Sequence, residues 1–243
     1  MAEIKCMGVI GGLGPAATIS FMAMVLARTP IERTGRHLHL IVDSNPGVPD
    51  INAAVLGRGP SPVEALQAMA RRIEAAGADF LVMACNAAHL YEDDIRQSVS
   101  IPFLSMIDAT CAHIASTLPG ARRAGLVATD GGIGCGIYQR SLAARGVETL
   151  VPSPAETDAV MAAVGRVRLG DLGPLAKEPL VERIDGLADA GAECVIAGCT
   201  EIPLVLTQRD VGVPLIDPSE ILAEAAVAFA IGDKSGPVVP GAN

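Results

Sequence analysis

The segment EAAGADFLVMACNAAH at 74–89 returns, at an offset of 114, as LADAGAECVIAGCTEIP at 187–203. Gly77 falls on Gly191, Ala78 on Ala192 and Cys85 on Cys199. Two further matches keep the same order. Gly8-Val9-Ile10 matches Gly125-Leu126-Val127 at an offset of 117, and Ile101-Pro102 matches Val213-Pro214 at 112. A repeat of this length, within the range of a small domain, predicts two related halves. It lies well above the periods of roughly 20 to 50 residues that build solenoids.

Within each half, short apolar runs bounded by Gly or Pro alternate with helical stretches. Buried strands are expected at Met7–Ile10, Leu38–Val42, Phe80–Ala84, Phe103–Ile107, Gly125–Ala128, Thr149–Pro152, Cys194–Ala197 and Leu215–Ile216. Helices are expected at Pro62–Ala75, Glu92–Val99, Ile137–Ala144, Thr157–Val167 and Pro174–Ala190. That alternation predicts a parallel α/β architecture. Composition agrees: 50% of the 243 residues are hydrophobic but only 2% are aromatic, so aliphatic side chains must fill the core. Residues 6–27 carry no charge, yet Gly11, Gly12, Gly14 and Pro15 interrupt them. The segment therefore reads as strand, glycine turn and helix, and no membrane span is expected. With a net charge of −9 and six aromatic residues, the chain lacks a basic patch or stacking platform for nucleic acid. Six Cys without a CxxC pair point to a reducing cytoplasm. The final segment, 232–243, reads as a disordered tail.

Chemistry is expected at the carboxyl ends of the strands, where open parallel sheets bind ligands. Each half places a Cys there, Cys85 and Cys199, each followed by a polar residue, Asn86 or Thr200. A helix starting at that point would favour the thiolate and offer N–H groups to a carboxylate. Two thiols facing one cleft suit inversion of a carbon centre: one removes a proton from one face, and the other delivers a proton to the opposite face. Such a site calls for no metal and no cofactor. The bland reading of either Cys alone is a small buried hydrophobe.

The residues GVIGGLGPAAT, NPGVPD, ACNAAH, GLVATDGG and AGCTEI followed by VPLIDP resemble the aspartate/glutamate racemase superfamily, most closely its aspartate racemase branch. The resemblance implies two pseudo-symmetric flavodoxin-like parallel-sheet domains with the active site in the cleft between them. It also implies catalytic Cys85 and Cys199, no pyridoxal phosphate, and a homodimer acting on a small amino-acid or carboxylic-acid substrate. The first domain would comprise 1–115 joined by a C-terminal helix within 217–231, and the second 116–216. Related possibilities are a maleate-type cis–trans isomerisation and a non-enzymatic two-lobed binding protein.

Departures from the family pattern bear on the substrate. The usual Thr of CNTAH is Ala87, the usual Thr of the second glycine-rich turn is Gly132, and an Arg that often follows NPxxPD is Ile51. Without that cation, affinity for aspartate should fall about ten- to a hundredfold, since a hydrogen bond to a charged group contributes about 1.5–3 kcal/mol. The Lys of a later V-K-x-G element is Arg168, which keeps the charge and adds a fork of donors. Asn86, Ala87, Thr129, Gly132, Arg168 and Thr200 are the expected substrate contacts, with Leu13 in the GGLGP turn and Asn45 in DSNPG. That turn could equally be structural, and Asn45 could instead form an Asx turn. Glu201 could orient or deprotonate Cys199, or simply sit at a helix start. His89, four residues after Cys85, is expected to hydrogen-bond or pack; with four His in the chain and no second Cys/His pair, a metal is not expected. Cys6, Cys111, Cys135 and Cys194 are expected to be core thiols.

Overall fold

The computed structural model describes residues 4–233. In the first half β1 (Met7–Gly11) lies between β2 (Leu40–Ser44) and β3 (Phe80–Met83), all parallel. In the second half β4 (Arg123–Val127) lies between β5 (Glu148–Leu150) and β6 (Cys194–Ala197), with β7 (Leu215–Ile216) outside β6. The connections of the first sheet carry α1 (Pro15–Arg28), α2 (Ile31–Thr34), α3 (Ile51–Val55), α4 (Val63–Ala75) and α5 (Glu92–Arg96). Helix α6 (Met106–Thr117) leads into the second sheet, which carries α7 (Asp130–Gly134), α8 (Ile137–Ala143), α9 (Pro154–Arg168) and α10 (Pro174–Asp189). Helix α11 (Pro218–Ala230) closes the described chain. Most of the expected tail, from 234 onward, lies outside the described residues.

The repeat is visible bond by bond. Leu81 N–H donates to Pro102 C=O at 2.7 Å, and Val195 N–H donates to Pro214 C=O at 2.9 Å. Gly77 and Gly191, with φ of +97° and +94°, turn the chain from helix into strand at matching places. These are left-handed backbone positions that glycine adopts at little cost. One expected strand is corrected. Phe103 makes only a single bridge to Leu81, and Met106 and Ile107 are helical. The reason is Ser105, whose hydroxyl accepts the Asp108 N–H and so starts α6.

Strand residues alternate between two faces, and each face has its own core. Ile10, Leu81 and Met83 pack with Leu66, Met69 and Ile73 of α4. Val127 and Val195 pack with Val160 and Val164 of α9 and Ile184 of α10. The opposite faces, Val9 and Val82 in one sheet and Leu126 and Ile196 in the other, share a middle layer with α1, α6, α8 and α11. Helix α11 packs on α1 and α6. The uncharged stretch near the N-terminus forms β1, a turn and α1, and no helix among the described residues is long and apolar enough to cross a membrane.

Glycine in the central strand of each sheet sets how closely the outer helix approaches. A Cβ on Gly8 would lie 2.3 Å from Ile73 Cγ2 and 2.8 Å from Leu81 Cδ2. At the equivalent Gly125 the nearest atoms are Val195 Cγ2 at 2.9 Å and Leu187 Cδ1 at 3.1 Å. Gly8→Ala should therefore destabilise the protein by about 1–3 kcal/mol, as overpacking does, and Gly125→Ala by less. Urea unfolding of both variants checks this; an unshifted midpoint for Gly8→Ala would contradict it.

Candidate active site

A cavity of about 260 Å³ opens at the carboxyl ends of the strands. Leu13 comes after β1, Cys85 to Ala87 after β3, Thr129 after β4, and Gly198 to Glu201 after β6; all line it. Residues of the loop 46–50, Ile51 and Asn52 at the start of α3, and Arg168, the last residue of α9, complete the wall. The GGLGP turn is shaped by close approaches. A Cβ on Gly12, at φ +82°, would lie 2.2 Å from Asn45 N, and one on Gly14 would lie 2.6 Å from Glu201 Oε1. The Gly12 N–H donates to Thr18 Oγ1 at 2.9 Å, so this amide is already used inside the turn.

His89 holds the first thiol's backbone. Its Nε2 accepts the Met106 N–H at 3.0 Å, which leaves Nδ1 to donate to the Cys85 C=O at 2.7 Å. Burial pushes the His89 pKa down to about 4, so the ring is neutral. Both nitrogens are occupied, and neither is offered to a metal. Among the described residues no three His, Cys, Asp or Glu side chains gather as metal ligands.

The second thiol is held by a carboxylate. Cys199 Sγ donates to Glu201 Oε2 at 3.0 Å, and the Thr200 hydroxyl reaches the same oxygen at 3.3 Å. Glu201 Oε1 accepts from Arg168 Nε at 3.0 Å. Glu201 is 3% exposed, so this is a carboxylate taken out of water with three side-chain partners. Burial opposes the Arg168 charge, but Glu201 and the two thiols outweigh it and hold its pKa above the ordinary value.

The expectation that helix starts favour both thiolates is corrected. Each Cys leads into a short 3₁₀ turn, Ala87–Tyr91 in one half and Ile202–Leu204 in the other, and such turns sum few peptide dipoles. Burial raises the Cys85 pKa to about 11; the Ala87 and Ala88 backbone and Arg168 pull it down, while Glu201 adds to the rise. Burial also pushes Cys199 well up, with the negative charge of Glu201 next in importance. Desolvation wins at both thiols.

Of the expected contacts, Leu13, Asn86, Ala87, Thr129, Arg168 and Thr200 line the cavity, together with Ile51. Asn45 and Gly132 do not. Asn45 Oδ1 accepts the Gly47 N–H at 3.0 Å, forming an Asx turn. At Gly132 the missing side chain leaves little space, because a Cβ there would already meet Ala128 Cβ at 3.0 Å and Thr129 Oγ1 at 3.1 Å. The remaining four Cys are buried elsewhere, and Cys135 Sγ donates to Gly132 C=O at 3.1 Å. Among the residues that escape the sequence reading are Asn52 and Tyr138. Asn52 stands directly after Ile51 and lines the cavity. Tyr138 of α8 is 1% exposed and donates from its hydroxyl to Asn86 Oδ1 at 2.6 Å. Adjacency to Ile51 could have flagged Asn52; nothing local flags Tyr138.

In the ligand-free protein, alkylation of Cys85 by iodoacetamide should accelerate about tenfold per pH unit between roughly pH 7 and 10, because the thiolate fraction of a group with a raised pKa grows that way. Mass spectrometry of the peptide containing residue 85 measures it. A plateau below about pH 9 would show an ordinary thiol.

The profile of the Asp/Glu/Hydantoin racemase family matches residues 10–226. The broad specificity amino-acid racemase RacX of Bacillus subtilis (strain 168) is 28% identical over 166 residues, which is 68% of this chain and 70% of that protein. The aspartate racemase of Picrophilus torridus superposes with a TM-score of 0.83 at 29% identity, covering 94% of both chains. An aspartate racemase homologue from Pyrococcus horikoshii OT3 superposes with a TM-score of 0.71 at 28% identity, covering 93% of this chain and 99% of the other. Parallel sheets, the cleft between them and the match over most of the length agree: the chain belongs to the Asp/Glu/Hydantoin racemase family.

Proposed function

We propose that this chain is an amino-acid racemase in which Cys85 and Cys199 exchange the Cα proton of the substrate from opposite faces. The observation that carries this reading is that two thiols at equivalent strand ends, one from each half, line one cavity. Glu201 is the acceptor for the Cys199 proton. Once that proton has passed to the Glu201 carboxylate, the Cys199 thiolate takes the Cα proton, and the electron pair left on Cα spreads into the carboxylate as an enolate. The Cys85 thiol then donates its proton to the opposite face. The pair ends with Cys85 as thiolate and Cys199 as thiol, the arrangement that runs the reaction backwards. Both proton-transfer groups come from the chain, so the proposed reaction draws on no cofactor. The developing charge is met by the Arg168 guanidinium and the Asn86 amide, groups already fixed in place.

We read the substrate's side chain as uncharged. Leu13, Val48, Ile51 and Ala87 supply apolar wall, and the charged residues lining the cavity are Asp50, Arg168 and Glu201. Arg168 is already paired with Glu201. A second carboxylate on the substrate would find no cation of its own, and burying an unpaired charge is costly. The same reading treats 1–115 with 217–231 as one domain and 116–216 as the other. It also places the protein in the cytoplasm as a homodimer, on its unpaired thiols and on the family resemblance.

The test is incubation in deuterium oxide with a panel of L- and D-amino acids, reading deuterium at Cα and loss of optical rotation. Neutral aliphatic side chains should exchange faster than aspartate. Cys85→Ala and Cys199→Ala should each lower inversion by about 10²–10⁴-fold, the usual contribution of a positioned acid or base. Inversion at the wild-type rate in both variants would defeat the two-thiol mechanism. Ile51→Arg should raise kcat/KM for aspartate by about ten- to a hundredfold, the gain from one hydrogen bond to a charged group. No gain would show that residue 51 does not face the substrate side chain.

A further inference from the structure

Helix α3 belongs to the first half but leans on the second. Its main neighbours are α7 and the 3₁₀ turn Ala87–Tyr91. The Thr129 hydroxyl, which caps α7 by accepting the Gly132 N–H at 3.1 Å, donates across to Asn52 Oδ1 at 2.7 Å. Gly131 lets the two backbones meet: a Cβ there would lie 2.6 Å from Asn52 Oδ1 and 2.7 Å from Asn52 Cα. A Cβ on Gly134 would lie 3.3 Å from Leu56 Cδ2. Residues three apart share a helix face, so both glycines of α7 are turned to the α3 segment. Glycine is a poor helix former, and the close approach accounts for two of them on one face. Asn52 and Ile51 line the cavity, whereas Gly131 is buried and does not.

We propose that the contact between α3 and α7 is a latch between the halves that sets the position of Ile51, which makes Gly131 and Asn52 positioning residues for side-chain selectivity. This deepens the racemase reading and rests on it for the substrate. Helix α3 has five residues, Ile51–Val55, and starts at Asp50, whose Oδ1 accepts the Ala53 N–H at 2.8 Å. A helix so short has little stability of its own and takes its place from what it packs on. Consecutive Cα atoms are held about 3.8 Å apart, so a shift of Asn52 carries Ile51 with it. An alanine at 131 would fall about 0.8 Å short of the separation at which carbon atoms pack, and the atom it meets is backbone. Helix α3 would have to back away from the second half, which widens the cavity beside residue 51. One methylene in an apolar pocket changes discrimination about 10- to 200-fold, so a displacement of this size alters which side chain fits.

Two arms test the latch on the full chain. The first needs no substrate. Hydrogen exchange read by mass spectrometry follows the amides of Ala54 and Leu56, which bond to Asp50 C=O and Asn52 C=O within the α3 segment. Asn52→Ala removes the bond to Thr129 and leaves the α7 cap. Alanine is the better helix former, so local propensity alone would slow exchange. The latch predicts an acceleration of about fivefold in α3, as for loss of one hydrogen bond, with α4 unchanged. Unchanged or slower exchange in α3 would overturn the proposal.

The second arm compares kcat/KM for leucine and alanine, read as deuterium entering Cα. Gly131→Ala should raise the leucine-to-alanine ratio about tenfold. In an Ile51→Ala background, where no long side chain remains to be repositioned, adding Gly131→Ala should leave the ratio within about twofold. A wild-type ratio in Gly131→Ala, or an equal shift in both backgrounds, would overturn the proposal. If circular dichroism shows that Gly131→Ala does not fold, Asn52→Ala takes its place and is held to the same outcomes. The two readings fail separately. Faster exchange in α3 with no deuterium at any Cα defeats the racemase reading alone; racemisation with α3 exchange unchanged defeats the latch alone.

Discussion

The middle helical layer is the constraint on which the rest depends. Helices α1, α6, α8 and α11 join the inner faces of both sheets in one continuous core, so the two sheets bury those faces in a common layer. The hydrophobic gain of that shared layer is what docks the two halves. It sets their orientation, and with it the direction in which the strand ends point. Glycines at 8 and 125 allow the outer helices to approach the far faces, more closely at Gly8 than at Gly125. The cavity is the consequence: matching strand ends of two similar sheets meet over one space.

Within that space desolvation sets the chemistry. The low-dielectric surroundings hold both thiols protonated, and the same surroundings make the Glu201 carboxylate a strong acceptor for Cys199. Arg168 keeps Glu201 from carrying an uncompensated charge. A thiol with a raised pKa is a poor leaving site for its proton in the empty protein but a well-matched partner for a Cα–H, which is itself a very weak acid. The site therefore shows little free thiolate, and in the proposed mechanism its reactivity lies in proton transfer through Glu201. That inverts the view from local sequence, where a thiol at a helix start reads as acidic.

How much the chain discloses before it folds depends on the range of each interaction. The alternation of apolar runs, the offset repeat and the two Cys are read directly from the sequence, and they suffice for most of the strands and helices and for placing the two Cys at strand ends, though not for the Phe103–Ile107 segment. Asn45 is ambiguous between a turn and a ligand contact, because the Asx turn and a binding Asn use the same oxygen. Gly132 lacks the Thr side chain of the family pattern, but a missing side chain becomes space only where neighbours do not fill it, and Ala128 and Thr129 do. The thiol pKa values are hidden from the sequence because burial is a property of the whole fold. Tyr138 stays invisible for a related reason: it stands 52 positions from Asn86 and reaches it from the other half. One of only 2 Tyr in the chain, it is still an ordinary core aromatic until its hydroxyl partner is known.

The charges lining the cavity connect these points to selectivity. Aspartate would bring two carboxylates and one ammonium to a space lined by Asp50, Glu201 and Arg168. Through Nε, Arg168 already serves Glu201, and Ile51 offers only surface. A second cation beside the first would compete for that carboxylate. The lack of a second cation among the residues lining the cavity and the aliphatic residue at 51 thus agree with the proposed uncharged side chain, which would be sorted by shape and apolar contact.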